Sequence, residues 1–190
     1  MTQAKSKFSS FEEYLAYDDD TDQLYELVDG ELVALPPESG RNSQILMLII
    51  LAIAPLIDPR RIRVRGLELE VRGNPRNRFP DLTILHEEHI EQLQRRDTIR
   101  LSMRPPLLVI EIVSPGEANR ARDYSDKRNQ YQDRGIPEYW VVDPQTQAVT
   151  VLKLNESGIY IELGVFQNDQ RIESLLFPEF NLTPAQMFAA

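Results

Sequence analysis

An α/β domain is predicted by three features of the 190-residue sequence: a hairpin signal near its start, an unbroken apolar strand at 107–113, and a helical pattern at 118–134 that runs directly into another apolar strand. Strand, helix, strand in that order implies a parallel pair joined by a right-handed crossover. The length is little more than the roughly 150 residues of one typical domain, so a single domain over 1–190 is expected. With 42% hydrophobic and 27% charged residues, the chain has the composition of an ordinary soluble globular protein. It has no cysteine. Disulfides, thiolate metal sites, iron–sulfur clusters and cysteine nucleophiles are therefore excluded.

Taken in order, Ser9-Ser10-Phe11-Glu12 has the spacing of a capping box and predicts a short helix through 17, ended by Asp18-Asp19-Asp20. Strand-like runs at 25–28 and 31–35 flank Asp29-Gly30, a dipeptide that supplies the positive φ angles of a tight hairpin turn. After Pro36-Pro37, residues 39–56 read as a helix whose nearly continuous apolar second half implies contact on most sides and a place against a sheet. The apolar run 45–57 is too short to cross a bilayer and contains Pro55. No secretory pattern opens the chain, so a cytoplasmic address is the default. Residues 67–71 alternate strictly, predicting a strand with one buried and one wet face. Gly73-Asn74-Pro75 turns the chain into a second strand at 79–85. The third, at 107–113, is apolar enough for the sheet centre, buried on both faces. Between them, 87–104 is polar and irregular. The helix at 118–134 is stopped by Gly135 and Pro137, and the strand 138–142 follows at once. Runs at 148–154, 160–166 and 172–176 predict added antiparallel strands, with a terminal helical turn after Thr183-Pro184.

The formal net charge of −9 opposes long-range attraction to polyanions, yet the charges are segregated. Residues 1–58 carry 11 acidic side chains against three basic ones, whereas 60–104 carry 11 arginines against seven acids, and 120–134 are also net basic. These stretches form either a phosphate-gripping surface or an evenly solvated one. Several common engines are absent. No glycine precedes a lysine and no two glycines lie two apart, which removes the phosphate-binding loop and the dinucleotide fingerprint. His86-Glu87-Glu88-His89 spaces its histidines by three rather than four, with no third histidine to complete a zinc site, and reads as a solvated loop. Ser114-Pro115-Gly116 lacks the glycine that a nucleophile elbow places two residues before its serine.

What remains is a carboxylate in an oily strand, Glu111 within Leu107-Leu108-Val109-Ile110-Glu111-Ile112-Val113. Removing an ionised carboxylate from water costs several kcal/mol, so Glu111 must be paired, protonated or bound to a cation. Asp81, after Pro80 on the preceding strand, becomes its neighbour if those strands pair. Two carboxylates that close repel, and a magnesium ion would resolve both difficulties. An arginine partner, Arg78 or Arg104, is the competing explanation. On the following helix, Tyr124, Lys127 and Tyr131 fall on one stripe that should face the sheet. Lys127 either reaches the acidic pair or merely pairs on the surface with Asp123, four residues earlier. Trp140, in an apolar strand, reads as core rather than as a base-stacking platform.

Pro80-Asp81, Glu111 thirty positions later and a helical lysine together resemble the PD-(D/E)xK nuclease core of restriction-endonuclease-like proteins. Most of that superfamily places its lysine two residues after the glutamate. This chain has Val113 there, making Lys127 a migrated lysine. Tyr25-Glu26-Leu27-Val28-Asp29-Gly30-Glu31-Leu32, Pro80-Asp81-Leu82, Val109-Ile110-Glu111-Ile112-Val113-Ser114-Pro115, the stretch from Asp123 to Gly135, and Glu138-Tyr139-Trp140-Val141-Val142-Asp143-Pro144 resemble the Uma-two group of that superfamily over about 11–166. That group often has histidine at the start of the long helix, where this chain reads Arg41-Asn42-Ser43-Gln44.

The resemblance implies a restriction-endonuclease-like core: a curved mixed β-sheet flanked by helices, with an added N-terminal hairpin and C-terminal antiparallel strands. It further implies Asp81 and Glu111 as metal ligands with the Ile112 carbonyl as a third, Lys127 completing the catalytic set, and Glu31 as an accessory acting through water. Glu26, or simple solvent exposure of Glu31, accounts for that carboxylate equally well. The function expected is a magnesium-dependent endonuclease acting on DNA, with manganese as a substitute ion. A noncatalytic nucleic-acid or protein-binding module on the same scaffold is the alternative, and a homodimer joined through the C-terminal strands is a third reading.

Overall fold

The computed structural model describes residues 7–17 and 20–189. Ser10 caps the first helix, α1 (Phe11–Ala16), its hydroxyl accepting the Glu13 N–H, while the Glu13 carboxylate accepts from the Ser9 N–H at 2.8 Å. The cap lies one residue later than the Ser9–Glu12 spacing suggests, because Phe11 opens the helix and is fully buried with Tyr14 and Leu27. The helix ends at Ala16; Asp18 and Asp19, expected to end it, lie outside the described residues. β1 (Tyr25–Val28) and β2 (Glu31–Ala34) form the expected hairpin, with Asp29 and Gly30 at φ 51° and 81°.

Ser39 caps α2 (Gly40–Ile53), which tightens into a short 3-10 turn at Ala54–Leu56 around Pro55. Its inner face, Ile45, Leu46, Ile49 and Ile53, packs on the sheet. Its outer face does not follow the expectation of burial on most sides: Met47 and Leu51 are 53% and 62% exposed, because α2 forms an outer layer.

The remaining elements are β3 (Ile62–Val64), β4 (Glu68–Glu70), β5 (Asn77–Arg78), β6 (Leu82–Ile84), α3 (His89–Gln92), β7 (Thr98–Ile99), β8 (Leu108–Ile112), α4 (Glu117–Ala121), a π-helical stretch (Arg122–Lys127), α5 (Arg128–Arg134), β9 (Glu138–Asp143), β10 (Ala148–Leu154), β11 (Tyr160–Gln167) and α6 (Pro184–Phe188). The main sheet has the order β11-β10-β9-β8-β6-β3. It is mixed: β8 and β9 run parallel and the other neighbours antiparallel. As its unbroken apolar character predicts, β8 lies inside this sheet with all five residues buried. Alternation assigns Leu108, Ile110 and Ile112 to the α2 side and Val109 and Val113 to the side covered by Tyr131.

Four local readings are corrected. The face of 67–71 expected to be wet is buried: Glu68 and Glu70 are 3% and 5% exposed, because β4 is the middle strand of a small sheet of order β5-β4-β7 and α1 and β1 lie against that face. Glu68 accepts from Asn77 Nδ2 and the Thr98 hydroxyl, and Glu70 from Arg100 and the Leu101 N–H. The strand expected at 79–85 is shortened to β6, because Pro80, just before it, has no N–H for a ladder, and the preceding β5 belongs to a different sheet. The stretch 87–104 holds α3 and β7, and His89 is buried with Nε2 3.1 Å from the Arg104 carbonyl oxygen rather than lying in a solvated loop. Residues 172–176 form no strand; the Leu175 and Leu176 N–H groups instead donate to the buried Glu138 carboxylate.

Candidate active site

The register of β6 and β8 decides which side the two acids face. Leu82 opposes Ile110, so Asp81, one residue before β6, is set opposite Glu111 on the side away from α2. β6 begins only after Pro80, and just ahead of it the Asp81 carboxylate takes the place of a ladder partner: its Oδ2 accepts the Ile112 N–H at 2.7 Å. Both acids are buried, at 8% and 1% exposure, and both line one pocket of about 140 Å³.

Lys127 comes down on this pair from the helix. Its Nζ donates to Glu111 Oε2 at 2.8 Å and lies 2.8 Å from Asp123 Oδ1, while Tyr131 donates its hydroxyl to Glu111 Oε1 at 2.5 Å. Both readings of the lysine are thus combined, with the Asp123 pair buried rather than on the surface. The buried line is Asp123, Lys127 and Tyr131, at spacings of four; Tyr124 is half-buried instead and directs its hydroxyl to Asp143. The π-helical stretch is the reason, since its wider turn keeps positions four apart on one line.

Burial is the largest influence on both acids. It pushes the Glu111 carboxyl up to about 7, with Lys127 opposing and Asp81 and Asp123 adding to the rise. Asp81 is raised for the same cause, against the pull of Lys127, the Ile112 N–H and Arg65. Burial acts to lower the Lys127 ammonium, but Glu111, Asp123 and Asp81 together outweigh it and its pKa is raised.

Neither arginine considered as the partner of Glu111 reaches it. Arg78 is buried against Glu26 at 3.0 Å and Gln130 at 2.7 Å, and the Arg104 carbonyl meets His89. A guanidinium does meet the other acid: Arg65 Nη2 lies 2.9 Å from Asp81 Oδ1 and also pairs with Glu38. Arg65, Glu38 and Arg122 line the pocket without having been singled out as its members from the sequence, and Glu26, the alternative to Glu31, lines it too. Asn42, in the Arg41-Asn42-Ser43-Gln44 segment, is buried and donates from Nδ2 to the Ile112 carbonyl at 3.4 Å, against the same oxygen considered as a metal ligand. Glu31 is not brought to the site. It sits exposed at the turn end of the hairpin opposite Val28, whereas Glu26, farther along β1, lines the pocket. Trp140 is core, fully buried and edge-on to Phe180.

A mixed sheet with a carboxylate from each of two adjacent strands and a lysine from the covering helix is a restriction-endonuclease-like arrangement. The chain belongs to the Uma2 family, whose model carries the description "Putative restriction endonuclease" and matches residues 11–185. Among solved structures, it is similar to one described as a putative nuclease belonging to DUF820 from Anabaena variabilis ATCC 29413. That similarity has a TM-score of 0.67 and 19% identity, and covers 94% of this chain and 96% of that one. No curated protein matches the sequence. Among the described residues, no helix is long and apolar enough to cross a membrane.

Proposed function

We propose that the protein is a magnesium-dependent endonuclease of the cytoplasm that hydrolyses phosphodiester bonds in DNA, with manganese able to replace magnesium. The observation that carries this reading is the facing of Asp81 and Glu111 in one pocket beneath Lys127. The donors suit a hard cation, being two carboxylates and the Ile112 carbonyl. Five carboxylates and three cations line the pocket, and Arg78 behind Glu26 still leaves an excess of negative charge. Among the described residues no three His, Cys, Asp or Glu side chains gather as a metal-holding group. Two carboxylates and a carbonyl would be the protein's share of the ligands, with water and phosphate oxygens supplying the rest.

When bound, the cation supplies positive charge at the phosphoryl group and makes water more acidic. Lys127 holds its ammonium where negative charge grows during in-line displacement, and Glu111 and Asp123 fix its position. For a cation to bind Asp81, Arg65 must leave it, and its guanidinium, on the pocket wall with Arg122, is then available to a substrate phosphate. Plasmid incubated with magnesium is expected to be nicked or cut, and Asp81→Ala and Glu111→Ala to abolish this. Cleavage that survives both substitutions refutes the mechanism.

A noncatalytic binding module is favoured by one specific observation. Arg65 already neutralises Asp81, and Arg60, Arg63, Arg72, Arg78, Arg96 and Arg100 also pair with carboxylates, so the basic stretch 60–104 is largely matched internally. Calorimetry with manganese chloride separates the two: binding lost in Asp81→Ala supports the enzyme, and cleavage-free protein that binds no manganese supports the module.

A further inference from the structure

We infer that the cavity beside the Asp81–Glu111 pocket receives a single unstacked nucleobase, with Phe79 as its stacking platform. This inference rests on the nucleic-acid reading above and adds the form of substrate it takes. Phe79 is half-buried two residues before Asp81, yet it belongs to none of the three hydrophobic clusters that make up the interior. Instead its side chain lines two cavities, the site pocket and a neighbouring one of about 240 Å³, and Leu24 is shared in the same way. The cavities therefore meet at these two side chains.

The second cavity has the chemistry of a base site. Tyr14, Tyr17 and Tyr25 contribute aromatic wall, and Arg96, Asp97 and Thr98 contribute polar groups. Arg96 keeps 48% of its side chain exposed while pairing with Glu68, which also lines the cavity, and donating to the Thr98 hydroxyl and the Leu15 carbonyl, so its guanidinium borders the opening. A nucleobase offers a π face and a polar edge, and proteins that bind unpaired strands match these with an aromatic ring and nearby donors and acceptors. The volume is below the several hundred Å³ of a drug-sized ligand site and suits one small ring system. A base inside a duplex cannot reach such a recess without leaving its stack. The favoured substrate is consequently a single strand, or a duplex with one nucleotide turned out, its adjoining phosphate lying over Asp81 and Glu111.

The test measures binding by fluorescence anisotropy in EDTA, so that cleavage plays no part. The probes are a short labelled oligothymidylate and an abasic strand of equal length and charge. The wild-type chain should bind the base-bearing strand at least about five-fold more tightly. Phe79→Ala should bring the ratio close to one, and Phe79→Tyr should keep it. Should Phe79→Ala unfold, Phe79→Leu retains apolar bulk without a π face and must lose the preference as well. Equal binding of the two strands by the wild type, binding of neither, or a ratio that survives loss of the ring overturns the inference. A base preference in a protein that never cuts DNA defeats the nuclease reading alone, whereas cutting without that preference defeats this inference alone.

Discussion

Replacing Lys127 with methionine keeps the apolar stem on the helix and removes only the ammonium. Glu111 and Asp123, each with 2% of its side chain exposed, then lose their principal counter-charge, and Glu111 retains the Tyr131 hydroxyl alone. Breaking a buried pair by deleting one partner costs about 3–5 kcal/mol. A domain with roughly 5–15 kcal/mol in total would lose about a fifth or more of its stability. At a urea dependence of about 2 kcal/mol per molar, the midpoint should fall by about 2 M.

The penalty has a defined pH dependence. The Glu111 carboxyl is raised by burial to about 7 from 4.5, so the folded chain holds a proton that the unfolded chain has released. A group shifted in this direction makes stability fall as pH rises between those two values. Without Lys127 to oppose burial the carboxyl rises further. The cost of Lys127→Met should accordingly be largest at pH 8 and shrink toward pH 5, where Glu111 is neutral in the folded variant. Urea titrations in EDTA at the two pH values, followed by Trp140 fluorescence, measure this. Adding Glu111→Gln to Lys127→Met should recover about 1 kcal/mol or more at pH 8 through coupling within the network. A penalty below about 1 kcal/mol at pH 8, or one of equal size at both pH values, refutes the assignment of Lys127 as the buried counter-charge.

Two further outcomes follow from the same geometry. Arg65→Gln removes the guanidinium that competes for Asp81, so calorimetry should show manganese binding tightened several-fold; unchanged or weaker binding means that Arg65 does not guard the site. Glu138→Ala should lower stability by about 3 kcal/mol or more and alter Trp140 fluorescence, because the buried carboxylate accepts from the Trp140 indole, the Ser174 hydroxyl and the Leu175 and Leu176 N–H groups, all of which would lose their acceptor. A loss under about 1 kcal/mol in denaturant titration would show that these donors find other partners.

Local chemistry was enough to reveal most elements. The Asp29-Gly30 turn, the Gly135 stop and the unbroken apolar run of β8 each act within a few residues, and each was legible. The conflict of Glu111 with its apolar surroundings was visible for the same reason, as was the misplaced lysine on a helix stripe. Capping was misplaced by one residue, and 172–176 was misread, because each depends on a side chain elsewhere: Phe11 packing on Leu27, and Glu138 reaching across to Leu175 and Leu176.

The membership of the site was less legible than its centre. Glu26 and Glu31 look alike in sequence, both acids of one hairpin, and only the placement of that hairpin against Arg78 and the pocket tells them apart. Arg65 bridges Asp81 and Glu38 across long sequence separations, and no local pattern announces that meeting. The wet face expected for β4 became a buried one because α1 and β1 pack against it. The sequence by itself thus determined that a charge lies in an apolar strand and that a cation must answer it, since desolvation is a property of the residue and its immediate neighbours. Which cation answers, and which acids share it, was decided by the β6–β8 register and the π-helical turn, because Coulombic pairing depends on distances that only the folded chain establishes.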